Sequence, residues 1–149
     1  MQWNKEKSVL LSQCCIAVFA LCLMGLDIGA YRIAGWFAEN RFRHIQYGYL
    51  LMITVYSGSV FAWICLYRLW RLLSAVRKGE LFTAENVSHM RIVSWCCFAA
   101  SIICILSAVY YLPFAFVAVA AGFVGLIVRI VKNAFQQAIG MKDELDLTV

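Results

Sequence analysis

From Ile92 to Val128 the chain runs for 37 residues without an acidic, basic or histidine side chain. As a single helix that run would measure roughly 55 Å at 1.5 Å per residue. The hydrocarbon core of a bilayer is about 30 Å thick and takes about 20 apolar residues to cross. The run is too long for one crossing and suits two. Its break is predicted at Tyr110–Phe114, which holds Pro113, the sole proline. Proline lacks an N–H and turns the residue before it away from helix. Tyr110 and Tyr111 beside it suit a membrane–water interface. Two shorter charge-free runs precede it, 19 residues at Ser8–Leu26 and 24 at His44–Tyr67 if His44 is counted as neutral.

These runs predict an all-α integral membrane protein with four transmembrane helices, at about 9–28, 47–69, 91–111 and 114–132. They form a single membrane domain over 1–149, with a tail at 133–149. Composition excludes the main rivals. The chain is 64% hydrophobic and 14% charged, against about 45–50% and about 25% in soluble domains. A chain of this length cannot hide such an excess in a core, and disorder needs the opposite balance.

Orientation follows from the cations. With both termini cytoplasmic, Lys5, Lys7, Arg68, Arg71, Arg77, Lys78, Arg91, Arg129, Lys132 and Lys142 lie inside, and Arg32, Arg41 and Arg43 outside. Lys and Arg favour the cytoplasmic side of short loops, so the 68–91 connection faces in and the 29–46 loop faces out. The net charge of +5 is then a signature of topology next to anionic headgroups, not of direct nucleic-acid binding. A cleaved signal peptide is disfavoured, because the first apolar run exceeds the usual 7–15 residues. Lys142-Asp143-Glu144-Leu145 spells an ER-retention signal but is internal, so the receptor cannot read it.

Signs of chemistry are sparse. His44 and His89 are predicted on opposite sides, and the chain has no HExxH, GxSxG or phosphate-binding loop. No enzyme and no cofactor is expected. Cys14, Cys15, Cys22, Cys65, Cys96, Cys97 and Cys104 all fall within predicted spans without CxxC spacing, so they read as small apolar residues. Gly25 and Gly29 form a GxxxG, and Ala118, Ala121, Gly122 and Gly125 a small stripe. Both suit close helix packing, within the chain first and in a homo-oligomer second. Asp27 is read at the outer end of the first span, paired with Arg32. Arg129 is read at the inner end of the fourth, snorkelling to headgroups.

The most structured polar segment is 77–91. Gly79 is predicted to end the second helix with positive φ. Thr83 is predicted to cap the third, with Glu85 in its first turn. Phe82 and Val87 occupy hydrophobic-staple positions. Beyond Lys132, Phe135, Ala138, Ile139 and Lys142 share one face, so the fourth helix is expected to continue as an amphipathic extension. Asp143, Glu144 and Asp146 are the one acidic cluster. Leu145, Leu147 and Val149 alternate with polar residues, so this end either frays or adds as a strand to a partner.

The segments Gly79-Glu80-Leu81-Phe82, Glu85-Asn86-Val87 and Arg91, with the end Lys142-Asp143-Glu144-Leu145-Asp146-Leu147-Thr148-Val149, resemble the DUF2975 family of small bacterial membrane proteins over essentially the whole chain. The family has no known biochemical function and no catalytic residues to carry over. The resemblance implies a bacterial cytoplasmic membrane. By gene context it implies a small helix-turn-helix regulator as partner. Gly79, Phe82, Glu85, Asn86, Arg91, Asp143, Glu144 and Asp146 are then the candidate interaction surface. The rivals are a small transport or immunity-type protein, with Asp27 and the 29–46 loop as its outer contact, and a subunit of a larger membrane complex.

Overall fold

Local signals at the chain's turns set four helices. The computed structural model describes residues 3–40, 46–79 and 83–148. Helix α1 spans Trp3–Asn40, α2 Gln46–Lys78, α3 Ala84–Ala108 and α4 Pro113–Leu147. Each is long and apolar enough to cross a membrane, and the described residues contain no strand. Gly79 stops α2 at φ 79°, a left-handed conformation that costs glycine least, and its N–H reaches the Val76 carbonyl at 3.1 Å. Thr83 starts α3, its Oγ1 accepting from the Asn86 N–H at 3.4 Å. At the other end, the Tyr110 and Tyr111 N–H groups both turn back to the Ser107 carbonyl. Pro113 opens α4 at a first-turn position, where its missing N–H leaves no bond unmade. Phe114 packs edge-on against Tyr110 and Tyr111 at centroid distances of 6.0 and 5.5 Å.

Two expectations are corrected. Residues 29–40, read as the start of an outer loop, are helical, and α1 runs 38 residues to Asn40. The charge at Asp27 ends an apolar run, but it does not end a helix. Nothing between Asp27 and Asn40 removes a backbone donor, and Gly29 and Gly35 only weaken the helix. The remainder of that loop, 41–45, lies outside the described residues. The alternating Leu145 and Leu147 are helical instead of strand-like or frayed, because α4 continues to Leu147. The Thr148 hydroxyl closes its end, within 3.0 Å of the Glu144 carbonyl and 2.9 Å of the Leu145 carbonyl.

The helices form a row. α1 packs on α2, α2 on α3 and α3 on α4, and among the described residues no other pair touches. Apolar attraction between helices is weak in lipid, where small residues and polar contacts hold helices together. Each interface here follows that rule. Between α3 and α4, Ser94 donates to the Gly125 carbonyl at 3.0 Å and Ser101 to the Ala118 carbonyl at 2.7 Å. A Cβ at Gly125 would lie 3.1 Å from Cys97 Cβ, and one at Gly122 would lie 3.2 Å from Ser101 Oγ. Among the described residues, a Cβ at Gly25 would meet nothing within 4 Å, and one at Gly29 only its own helix's Ile33. On α1 the buried small residues are Ala30 and Ala34. Between α2 and α3, Thr54, Ser107 and Tyr110 join their hydroxyls. They can run as one chain of donors, Tyr110 to Thr54 to Ser107, ending on the Ile103 carbonyl at 2.8 Å.

Candidate functional site

At the end of the row that carries the α2–α3 joint, three helices run past the charge-free stretches. α2 continues from Arg68 to Lys78, α3 begins seven residues before Arg91, and α4 extends from Lys132 to Leu147. The last of these is a helical arm of roughly 22 Å. The charged side chains concentrate in this protruding cap.

Four of them form one line of contacts between α2 and α3. Arg68 Nη1 donates to His89 Nδ1 at 2.9 Å, His89 Nε2 faces Glu85 Oε1 at 3.4 Å, and Arg71 Nη2 donates to the same Oε1 at 3.0 Å. Arginine can only donate. His89 Nδ1 is therefore the acceptor, and the ring proton sits on Nε2, directed at Glu85. His89 is buried while Glu85 is exposed, so the line runs from inside the joint to its surface. Arg71 and then His89 hold the Glu85 carboxyl below the usual carboxylate range. This line was not foreseen from sequence. Its visible signal was a pair of arginines one turn apart, Arg68 and Arg71, across a short loop from Glu85 and His89 one turn apart on α3.

The candidate interaction residues distribute as follows. Gly79 shapes the joint. Glu85 is exposed and Asn86 is buried behind it. Phe82 lies outside the described residues. Arg91 points away from the line, into a cleft shared with Arg129 and Lys132. Asp143 and Glu144 are exposed far along the α4 arm. Asp146 belongs to the same helix, its side chain outside the described residues. The structure thus brings Glu85 and Asn86 together at the joint and leaves the acidic residues on a separate arm.

A second site lies between α1 and α2. Asp27 Oδ2 accepts from Ser59 Oγ at 2.8 Å and from Trp63 Nε1 at 3.1 Å, and the Asp27 carbonyl accepts from Tyr56 OH at 3.4 Å. Asp27 Oδ1 is buried with no hydrogen-bond partner among the described residues. The expected Asp27–Arg32 pair is replaced by these α2 partners. Antiparallel packing turns Asp27 to face Ser59, which stands inside the charge-free run of α2 and not at its edge. A carboxylate at that depth is costly, and such residues mark function by default. Among the described residues no group of three or more His, Cys, Asp or Glu is placed to hold a metal.

Four long apolar helices tied by polar contacts, with most of the charges of the described residues gathered in a cap, define a multi-pass membrane protein that resides in a lipid bilayer. Residues 33–149 match the family described as a protein of unknown function, DUF2975, and the chain belongs to that family. No curated protein matches the chain, and no solved structure does.

Proposed function

We propose that the protein is a non-enzymatic protein of the bacterial cytoplasmic membrane, with both termini inside, that binds or sequesters a small helix-turn-helix regulator at its cap. The carrying observation is the cap itself, a helical platform fixed by the Arg68–His89–Glu85–Arg71 line beside a projecting α4 arm. A rigid platform loses little freedom on binding, which leaves more of the contact energy as affinity. Exposed Asp143 and Glu144 on the arm complement a basic DNA-binding surface and so compete with DNA for it. The regulator is the partner that the family's gene context implies. Co-purification of the full chain with the regulator encoded beside it tests the reading. Retention is expected, with weaker binding when Asp143 and Glu144 become Asn and Gln. No association with either form would end it.

A second reading rests on Asp27. Its buried, unpartnered Oδ1 suits a cationic or hydrogen-bond-donating group of a small amphiphile, as a transport or immunity-type protein would require. Asp27→Asn keeps the size of the side chain and removes its charge. Loss of protection against membrane-active cations in that variant supports this reading, and unchanged protection counts against it.

A further inference from the structure

The charge-free run Ile92–Val128 ends in arginine on both sides, Arg91 and Arg129. The α3–α4 turn falls near its midpoint, so folding the run into a hairpin returns both arginines to the same level. Each is then about 28 Å from the turn along its helix. There Arg91, Ser94, Trp95, Arg129 and Lys132 line a cleft of about 160 Å³. Three of its five lining residues are cations and none is an acid. Neither arginine nor the lysine has an ion-pair partner among the described residues. This contrasts with Arg68 and Arg71, which are engaged in the joint. The Ser94 hydroxyl is committed to the Gly125 carbonyl, so the donors left to a ligand are the two guanidinium forks and the ammonium. Trp95 is exposed one turn from Arg91 toward the apolar run, and indole rings settle at the headgroup level.

We propose that this cleft is a binding site for the phosphate of an anionic phospholipid headgroup. Guanidinium forks match phosphate oxygens two at a time, and basic pockets between spanning helices at headgroup depth suit anionic lipids. The apolar helix faces directly beyond the arginines accept the acyl chains, which a soluble phosphate does not have. That placement selects the lipid over free phosphate.

The test uses the full chain in neutral detergent, with bound lipid counted by native mass spectrometry. The probes are phosphatidylglycerol, phosphatidylcholine and inorganic phosphate. One tightly held phosphatidylglycerol is expected, with phosphatidylcholine much weaker. The Arg91→Gln/Arg129→Gln variant should lose affinity by about fivefold per cation removed. Arg77→Gln, a cation at the same end outside the cleft, should bind as the parent does. Lys132→Gln alone, about fivefold weaker, keeps the test open if the double variant does not purify. Equal binding by parent and variants, or equal binding of the two lipids, would overturn the proposal. So would occupancy by inorganic phosphate with no retention of phosphatidylglycerol.

Discussion

Two arginines one turn apart on α2 do unlike work. Arg68 is the hydrogen-bond donor to the buried Nδ1 of His89, while Arg71 meets Glu85 in an exposed pair. Removing the first strands a buried acceptor, which costs about 1–3 kcal/mol. An exposed ion pair contributes far less, because water screens the charges and two long side chains must be held still. Arg68→Ala should therefore lower stability in a thermal or denaturant melt clearly more than Arg71→Ala, and equal effects would mean that His89 finds another partner. Glu85 adds a pH dependence. Its folded carboxyl lies below the ordinary value of 4.5, so its contribution is whole above that value and is lost as pH falls through the lower, folded one. Hydrogen exchange in the first turn of α3 should quicken in that acid window for the parent and show no such step in Glu85→Gln. Thr83, Gly79 and Glu85 could be assigned from sequence because caps and first-turn charges act locally. The contacts of Arg68 with His89 and of Asp27 with Ser59 could not, since each depends on the register between two helices.

At the scale of the helix, charge and helix end proved to be separate signals. Asp27 and Arg129 bound charge-free runs, yet α1 and α4 continue past them to Asn40 and Leu147. Where a true stop signal exists, at Gly79 and Pro113, helix and expectation end together. The small residues divide in the same way. Gly122 and Gly125 sit against α3, whereas among the described residues a Cβ at Gly25 would meet nothing within 4 Å, because composition places a glycine on a helix but not on a buried face. Gly125→Leu should push α3 from α4 and break the Ser94 bond, with an overpacking cost of about 1–3 kcal/mol. Gly25→Leu should be neutral or stabilising, since leucine favours helix over glycine by somewhat under about 1 kcal/mol. Resistance to unfolding in a graded detergent series compares them. A damaging Gly25→Leu would place a second copy of the chain on that face.

At the largest scale the described residues form a row of helices and not a closed ring, with α1 in contact with α2 alone among them. Its cysteines reflect this arrangement. Cys14, Cys15 and Cys22 are exposed along α1, while Cys96 is buried within α3. In membranes, a lipid-soluble maleimide should therefore modify the α1 thiols well before Cys96, as read by peptide mapping over a time course. Similar rates at all four would mean that α1 is covered or α3 is open. The four-helix count was legible because the cost of charge in lipid is paid residue by residue along the sequence. The row was not, because the small and polar residues that hold the interfaces, such as Ser94, Ser101 and Ala30, do not by themselves say which helix they face.

The turn from Val109 to Leu112 carries no charge, and this bears on how the protein is made. A hairpin entering a bilayer must carry its tip through the hydrocarbon, and each charge at that tip adds several kcal/mol to the passage. Here the tip is a valine, two tyrosines and a leucine, so the second half of the chain can enter as one unit once synthesis has passed Arg129. In the proposed orientation, with both termini inside, both arginines stay on the side of entry and act as stops. Biogenesis of the final two crossings then needs no polar segment to be translocated, and adding a charge at Leu112 would raise the cost of insertion without touching any packed surface.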